Sequence, residues 1–342
     1  MRDLLIQAVV LMVAVVGLAG PVSAQVRRLN VSKTTPISSV TASGIAAPVK
    51  CDSEGNIGFR AVQDSLEAAP VTVVSPDGHK VVAFKMPIDE KFQDFRFIDF
   101  ALSNGGLYAL ARDNRGQSWI LRYDRDGQFK DAVEPDLPME AMQIETRGSG
   151  ELLLAGTRSS KDNKKESERF IGIFSSNGHF LRRLSARNDV SAAKQASATP
   201  GEVGHDFGDK ALRASVLQAG SDGTVYLMRR TATGPVFVIS PAGLVRRVEL
   251  TPPPGTINGG KLAIGSGQFA VEFLKYKGTA ESGELESVIL QIFDSFTGQV
   301  VRTASHSDPN VGAALACYNG DGFVFINTDD SSRLQLVQVT VE

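Results

Sequence analysis

Apolar residues along this chain alternate with polar ones, or bunch into short runs, and nearly every stretch ends at a turn built on glycine. Six such bends recur: Asp52-Ser53-Glu54-Gly55, Ser103-Asn104-Gly105-Gly106, Gly148-Ser149-Gly150, Ser221-Asp222-Gly223, Gly265-Ser266-Gly267 and Gly320-Asp321-Gly322. Each lies between two apolar or alternating runs, such as the following Leu107-Tyr108-Ala109-Leu110 and Thr224-Val225-Tyr226-Leu227. Alternation on both sides of a glycine turn predicts a β-hairpin, because glycine supplies the positive φ that a tight turn needs.

A second hairpin type sits between successive copies of the first. Its copies are Ser75-Pro76-Asp77-Gly78, Asp124-Arg125-Asp126-Gly127, Ser175-Ser176-Asn177-Gly178, Ser240-Pro241-Ala242-Gly243 and Asp294-Ser295-Phe296-Thr297-Gly298. The leading Ser or Asp can bond the backbone two residues on and hold the turn. Two hairpins per unit make four strands per unit, and a unit of about 40–50 residues with four strands is a propeller blade. The expected fold is an all-β, six-bladed β-propeller of four-stranded antiparallel blades. A series of β-sandwiches is the alternative.

Six hairpins of the first type and five of the second leave the last blade one strand short. A candidate strand at 26–31, Val-Arg-Arg-Leu-Asn-Val, precedes the first blade. Pairing it onto the last blade would close the ring and remove an exposed edge. The expected organisation is a cleaved signal peptide at 1–24, a closing strand and linker at 25–46, and the propeller at 47–342. Arg2 followed by an apolar run from Ala8 to Gly20, with Val22-Ser23-Ala24 before Gln25, supports that leader. An uncleaved anchor is the alternative, although the run is short for a span of about 20 residues. The expected location is periplasmic or extracellular, without stable membrane insertion.

Export gives the two cysteines a meaning. Cys51 and Cys317 occupy nearly equivalent places in the first and last blades. Oxidising compartments permit a disulfide there, and two buried thiols are the other reading. Formal net charge is −2 with both signs interspersed, which argues against a nucleic-acid partner.

Strand direction puts both glycine-turn sets on one face and the remaining connections on the other. The second face would carry the longer insertions at 87–96, 157–169, 187–213 and 275–286, where binding residues usually sit. Within 187–213, Glu202, His205, Asp206 and Asp209 are types that bind metals or transfer protons, and Asp113 and Asp329 could join them at the ring mouth. No spacing among them matches a metal motif, so no cofactor is expected and calcium has no motif behind it. Histidines 79, 179 and 306 read as exposed loop residues, and Trp119 as packing between blades. Nucleophile elbows, H-E-x-x-H, C-x-x-C and P-loops are absent from the sequence.

The segment 287–294 (SVILQIFD) with Thr297-Gly298, and Gly55-Asn56-Ile57, resembles the strand and turn pieces of NHL-type six-bladed propellers, within a wider group of TolB-like and gluconolactonase- or paraoxonase-like rings. The resemblance covers the chain from about Arg27 onward and is architectural. The aspartate typical after the second strand is missing from Leu110-Ala111-Arg112 and Leu227-Met228-Arg229. No catalytic residue or calcium ligand carries over. The expected function is a non-catalytic, monomeric binding or scaffold module that recognises a protein, peptide or glycan on the long-loop face. A metal-assisted hydrolase or lactonase is the alternative.

Overall fold

A computed structural model of the chain describes residues 26–42, 44–62, 69–159, 167–184, 187–188, 216–228, 234–242, 244–278, 283–329 and 331–342. The expected signal segment lies outside them. Following β1 (Val26–Thr41), the strands β2 (Gly44–Cys51), β3 (Ile57–Val62), β4 (Val71–Val74) and β5 (Val81–Phe84) form one antiparallel sheet in chain order. β6 (Arg96–Ser103), β7 (Gly106–Arg112), β8 (Ser118–Asp124) and β9 (Phe129–Val133) form the next. β10 (Glu140–Thr146), β11 (Leu152–Ser159), β12 (Ser167–Phe174) and β13 (Phe180–Arg183) form the third. After the two-residue β14 (Arg187–Asn188) come β15 (Val216–Ala219), β16 (Val225–Met228), β17 (Val236–Ile239) and β18 (Leu244–Val248), with β14 added in parallel outside β18.

The last sheet has eight strands and contains two further sets of four. One is β19 (Thr256–Ile264), β20 (Gln268–Lys277), β21 (Glu284–Asp294) and β22 (Val300–His306). The other is β23 (Ala314–Tyr318), β24 (Gly322–Thr328) and β25 (Arg333–Val341), completed by β1 running antiparallel to β25. The N-terminal strand therefore closes the ring, and it is longer than the 26–31 read from sequence. Val26–Arg28 of β1 also pair in parallel with Thr303–Ser305 of β22, which joins the two sets into one sheet.

These sets are blades of an all-β propeller, and the reason lies in how the faces are buried. Each blade packs both faces against neighbours. In β7, Leu107, Ala109 and Ala111 enter the apolar cluster shared with β4 and β5, while Leu110 enters the cluster shared with β10–β12. Burial on both faces explains why the inner strands read as continuous apolar runs. The clusters follow one another round the ring. The circuit is completed by Ile37, Ile57, Phe59, Cys317 and Leu336, which join the last blade to the first.

The turn chemistry follows the sequence reading. Gly55, Gly106, Gly150, Gly223, Gly267 and Gly320 all take positive φ, as do Gly78, Gly127, Gly178 and Gly298. At Gly106 a Cβ would lie 2.0 Å from the Tyr123 carbonyl oxygen, so the turn admits no other residue. Asp124 Oδ1 accepts from the amides of Asp126 (3.1 Å) and Gln128 (2.9 Å), and Ser75 Oγ accepts from the Lys80 amide (2.9 Å).

Cys51 and Cys317 form a disulfide, with Cα atoms 5.5 Å apart across 266 residues of sequence. Their distances from the turn glycine differ by one residue, and a bulge between Leu315 and Cys317 in β23 takes up the difference. An extra residue in one strand re-aims the side chains that follow it. The bridge ties the innermost strand of the first blade to that of the last.

Two of the expected long loops carry regular structure. β20 and β21 extend through Lys277 and from Glu284, with Lys275 Nζ 2.6 Å from Glu286 Oε1 across the ladder, so both ends of 275–286 are strand. In 87–96, Glu90–Phe92 make one 3-10 turn that lays Phe92 and Phe95 against Phe129 and Trp119. Trp119 packs on this connection, with its Nε1 3.3 Å from Asp113 Oδ2. Of 187–213 only Arg187–Asn188 are described.

Candidate functional site

The innermost strands β2, β6, β10, β15, β19 and β23 touch in turn, and β23 returns to β2. They wall the central channel. Five of the six carry a bulge, at Ala46/Lys50, Phe97/Asp99, Ala141/Gln143, Asn258/Leu262 and Leu315/Cys317. Bulges break strict alternation and turn side chains toward new directions, which is why they gather beside binding sites.

A cavity of about 210 Å3 lies within this wall. Each inner strand contributes an apolar residue: Val49, Ile98, Met142, Val216, Leu262 and Leu315. Lys50, Asp99 and Lys261 supply charge among the lining residues. Met142 is 44% exposed and marks the open side.

Lys50 is buried at the junction of three blades. Its Nζ lies 2.7 Å from the Ile144 carbonyl oxygen, 3.2 Å from Asp99 Oδ2 and 3.3 Å from Glu145 Oε2. Asp99 Oδ2 also accepts from the Ile144 amide at 2.8 Å. Burial pulls the Lys50 pKa down, but the two carboxylates outweigh it and leave it above the usual lysine value. Burial raises Asp99 against the pull of Lys50, and raises Glu145 to about 7 against the same pull. Asp99 Oδ1 is buried without a hydrogen-bond partner. The Phe100 amide also favours the charged carboxylate.

A second buried acid reaches the channel wall from β20. Glu272 stands opposite the Asn258/Leu262 bulge of β19, and its Oε2 would be 2.4 Å from a Cβ on Gly259. The glycine makes the slot that the carboxylate fills. Neither carboxylate oxygen has a hydrogen-bond partner. Burial raises Glu272 to about 8, with the Lys261 charge and the nearby Leu315 amide opposing the rise.

Of the residues predicted from sequence, Asp113 and Asp329 are not part of this cavity. Asp113 and Asp329 each serve their own turn. Asp113 Oδ1 accepts from the amides of Arg115 (3.0 Å) and Gln117 (2.8 Å), and Asp329 Oδ1 from those of Ser331 and Arg333 (both 2.9 Å). Both are hairpin-forming aspartates of the kind the pattern already contained. Glu202, His205, Asp206 and Asp209 lie outside the described residues. Among the described residues no group of three or more His, Cys, Asp or Glu side chains is placed to hold a metal.

His79 and His179 are exposed, as expected. His306 is not. It ends β22 on the outer rim, is buried against the Phe325 ring (centroids 5.2 Å apart), and neither ring nitrogen has a hydrogen-bond partner. Burial lowers its pKa to about 4. It lines a cleft of about 330 Å3 with Arg28–Val31 of β1, at the ring seam and away from the channel. The reading of an exposed loop histidine failed because β1 covers this edge, and β1 is far from it in sequence.

Sequence reasoning missed Lys50, Asp99, Glu145 and Glu272. A usable signal was present: Phe97-Ile98-Asp99-Phe100-Ala101-Leu102 and Phe269-Ala270-Val271-Glu272-Phe273-Leu274 each hold one acid inside a run that reads as buried on both faces. Such a charge must be paired, neutralised or used.

No family model and no curated protein matches this sequence. Solved structures do match in shape. A member of the DUF4221 family from Bacteroides vulgatus overlays with a TM-score of 0.52 at 7% identity, covering 92% of this chain and 98% of that one. The likeness is one of fold alone. YCF48 bound to a D1 peptide overlays at 0.42 with 11% identity, over 95% of this chain and all of that one. The subtype N11 neuraminidase-like protein of a flat-faced bat isolate (H18N11) overlays at 0.46 with 9% identity, covering 93% and 94%. These two looser overlays carry no functional argument.

Proposed function

We propose that this chain is an exported, monomeric, six-bladed binding propeller of the NHL/TolB-like group. It engages a protein, peptide or glycan at the channel mouth on the face of the inter-blade connections. Counting the set completed by β1 as the sixth blade gives the ring its number. The Cys51–Cys317 bridge supports an oxidising compartment, and among the described residues no helix is long and apolar enough to cross a membrane.

The observation that carries the binding reading is the size and lining of the channel cavity. Pockets that swallow a whole small molecule run to roughly 300–1,000 Å3, whereas this one is about 210 Å3 and is lined from all six inner strands. That volume suits one projecting group of a larger ligand whose remainder lies across the face. The lining residues of β6, β10 and β23 come from the early parts of those strands, next to the inter-blade connections, which supports placing the mouth on that face, while β2 and β19 contribute from further along.

A metal-assisted hydrolase or lactonase is the second reading. It draws on Glu145 and Glu272, whose pKa values of about 7 and 8 suit proton transfer near neutrality. Displayed random peptides and a glycan array, probed with wild-type protein and a Met142→Trp plug, test the first reading. Selective ligands that the plug loses support it. Ligands held equally by the plugged protein contradict it, as does turnover of an ester or lactone panel that Glu145→Gln or Glu272→Gln abolishes.

A further inference from the structure

The channel cavity has acceptors to spare while Lys50 has no donor left. We propose that it receives a single cationic N–H group, the ammonium or guanidinium end of a lysine or arginine side chain on a partner protein. The inference rests on the binding reading above and names the chemistry of that site.

The donor inventory decides the sign. An ammonium has three N–H donors and no acceptor. Those of Lys50 meet three acceptors, Asp99 Oδ2, Glu145 Oε2 and the Ile144 carbonyl oxygen. An anionic ligand would find no donor left on Lys50, and Lys261 already faces the Glu272 carboxylate. Asp99 Oδ1, buried on a residue that lines the cavity, has no hydrogen-bond partner. Both oxygens of Glu272, slotted behind Gly259 beside the lining residues Gly260 and Lys261, are in the same state.

Charge points the same way. Lys50 faces two carboxylates, and Lys261 faces Glu272. With every group ionised the wall carries one uncompensated negative charge; burial holds Glu145 and Glu272 partly protonated, and an incoming cation favours their ionised forms and compensates that charge. The shape agrees as well: the apolar collar of Val49, Met142 and Leu262 suits the aliphatic stem of lysine or arginine, which packs along apolar surface while its head finds carboxylates. A neutral hydroxyl could meet one acceptor but would leave the charge.

The direct test titrates the purified protein with n-butylammonium, n-butylguanidinium, n-butanol and butyrate, followed by NMR shift perturbation. Saturable binding of the two cations, with at least about tenfold weaker response to butanol and butyrate, is expected, since hydrogen bonds to charged groups separate ligands by that factor or more. Met142→Trp at the mouth should weaken cation binding at least about tenfold, and Asp99→Asn should do the same. If Asp99→Asn fails to fold, the exposed Met142 variant and Glu272→Gln still decide. No saturable cation binding, equal binding of butanol or butyrate, or binding indifferent to Met142→Trp overturns the inference. Peptide selection separates it from the parent reading. Enrichment of lysine or arginine that the plug abolishes supports both. Plug-sensitive peptides without either residue sink this inference and leave the binding propeller standing.

Discussion

Two sides of the channel treat buried charge differently. Where the first three blades meet, Lys50 pairs with Asp99 and Glu145, leaving only Asp99 Oδ1 unbonded, and the cluster resembles a structural clasp joining β2, β6 and β10. At the fifth blade Glu272 lies equally buried beside a glycine bulge, with neither oxygen bonded. The first arrangement explains itself by geometry, since a buried cation with three acceptors holds neighbouring strands together. The second costs stability without visible return, and buried groups kept in that state cluster at functional sites.

The largest effect expected bears on the bridge that ties β2, which carries the clasp, to β23. Cys51→Ser with Cys317→Ser should lower stability by up to about 5 kcal/mol, the loop-closure value for so long a separation. Denaturant melts of the reduced and double-serine proteins would check it. Lys50→Met comes next. It strands two buried carboxylates and should cost about 3–5 kcal/mol at neutral pH, whereas a loss below about 1 kcal/mol would show that the clasp is no clasp.

Glu272→Gln should act in the opposite sense. A carboxyl raised from 4.5 to about 8 binds more protons in the native than in the unfolded state between those values, so stability falls as pH rises through that window. The variant should melt like wild type near pH 4.5 and be more stable by on the order of 3 kcal/mol at pH 9. Denaturant melts across that range would show whether the two sides of the channel differ as described.

His306 offers a check outside the channel. A histidine lowered from 6.5 to about 4 binds fewer protons in the native state, so its contribution is lost as pH falls from 6.5 through 4. His306→Phe should flatten the acid limb of the stability curve by roughly 2 kcal/mol. The smallest effect concerns the turn aspartates. Asp113→Ala and Asp329→Ala should each cost no more than about 1 kcal/mol and leave n-butylammonium binding unchanged.

The fold was legible because its signals are local. Glycine turns at Gly55, Gly106, Gly150, Gly223, Gly267 and Gly320 announce hairpins within a few residues of themselves, and counting them exposed the missing strand that β1 supplies. The site was not legible because it is assembled across blades. Lys50, Asp99 and Glu145 lie on three different inner strands, and only ring closure and bulges bring them together. Asp113 and Asp329 attracted attention as polar loop residues, yet their carboxylates are spent on their own turns. Position within an apolar strand was the better guide than residue type within a loop.

The most direct measurement is the titration of the Glu272 carboxyl by carbon-13 NMR, assigned by its loss in Glu272→Gln, with and without n-butylammonium. The account predicts a midpoint of about 8 in the unliganded protein and a clear downward shift when the cation occupies the cavity. A midpoint at an ordinary glutamate value of about 4.3, unmoved by the cation, would contradict it.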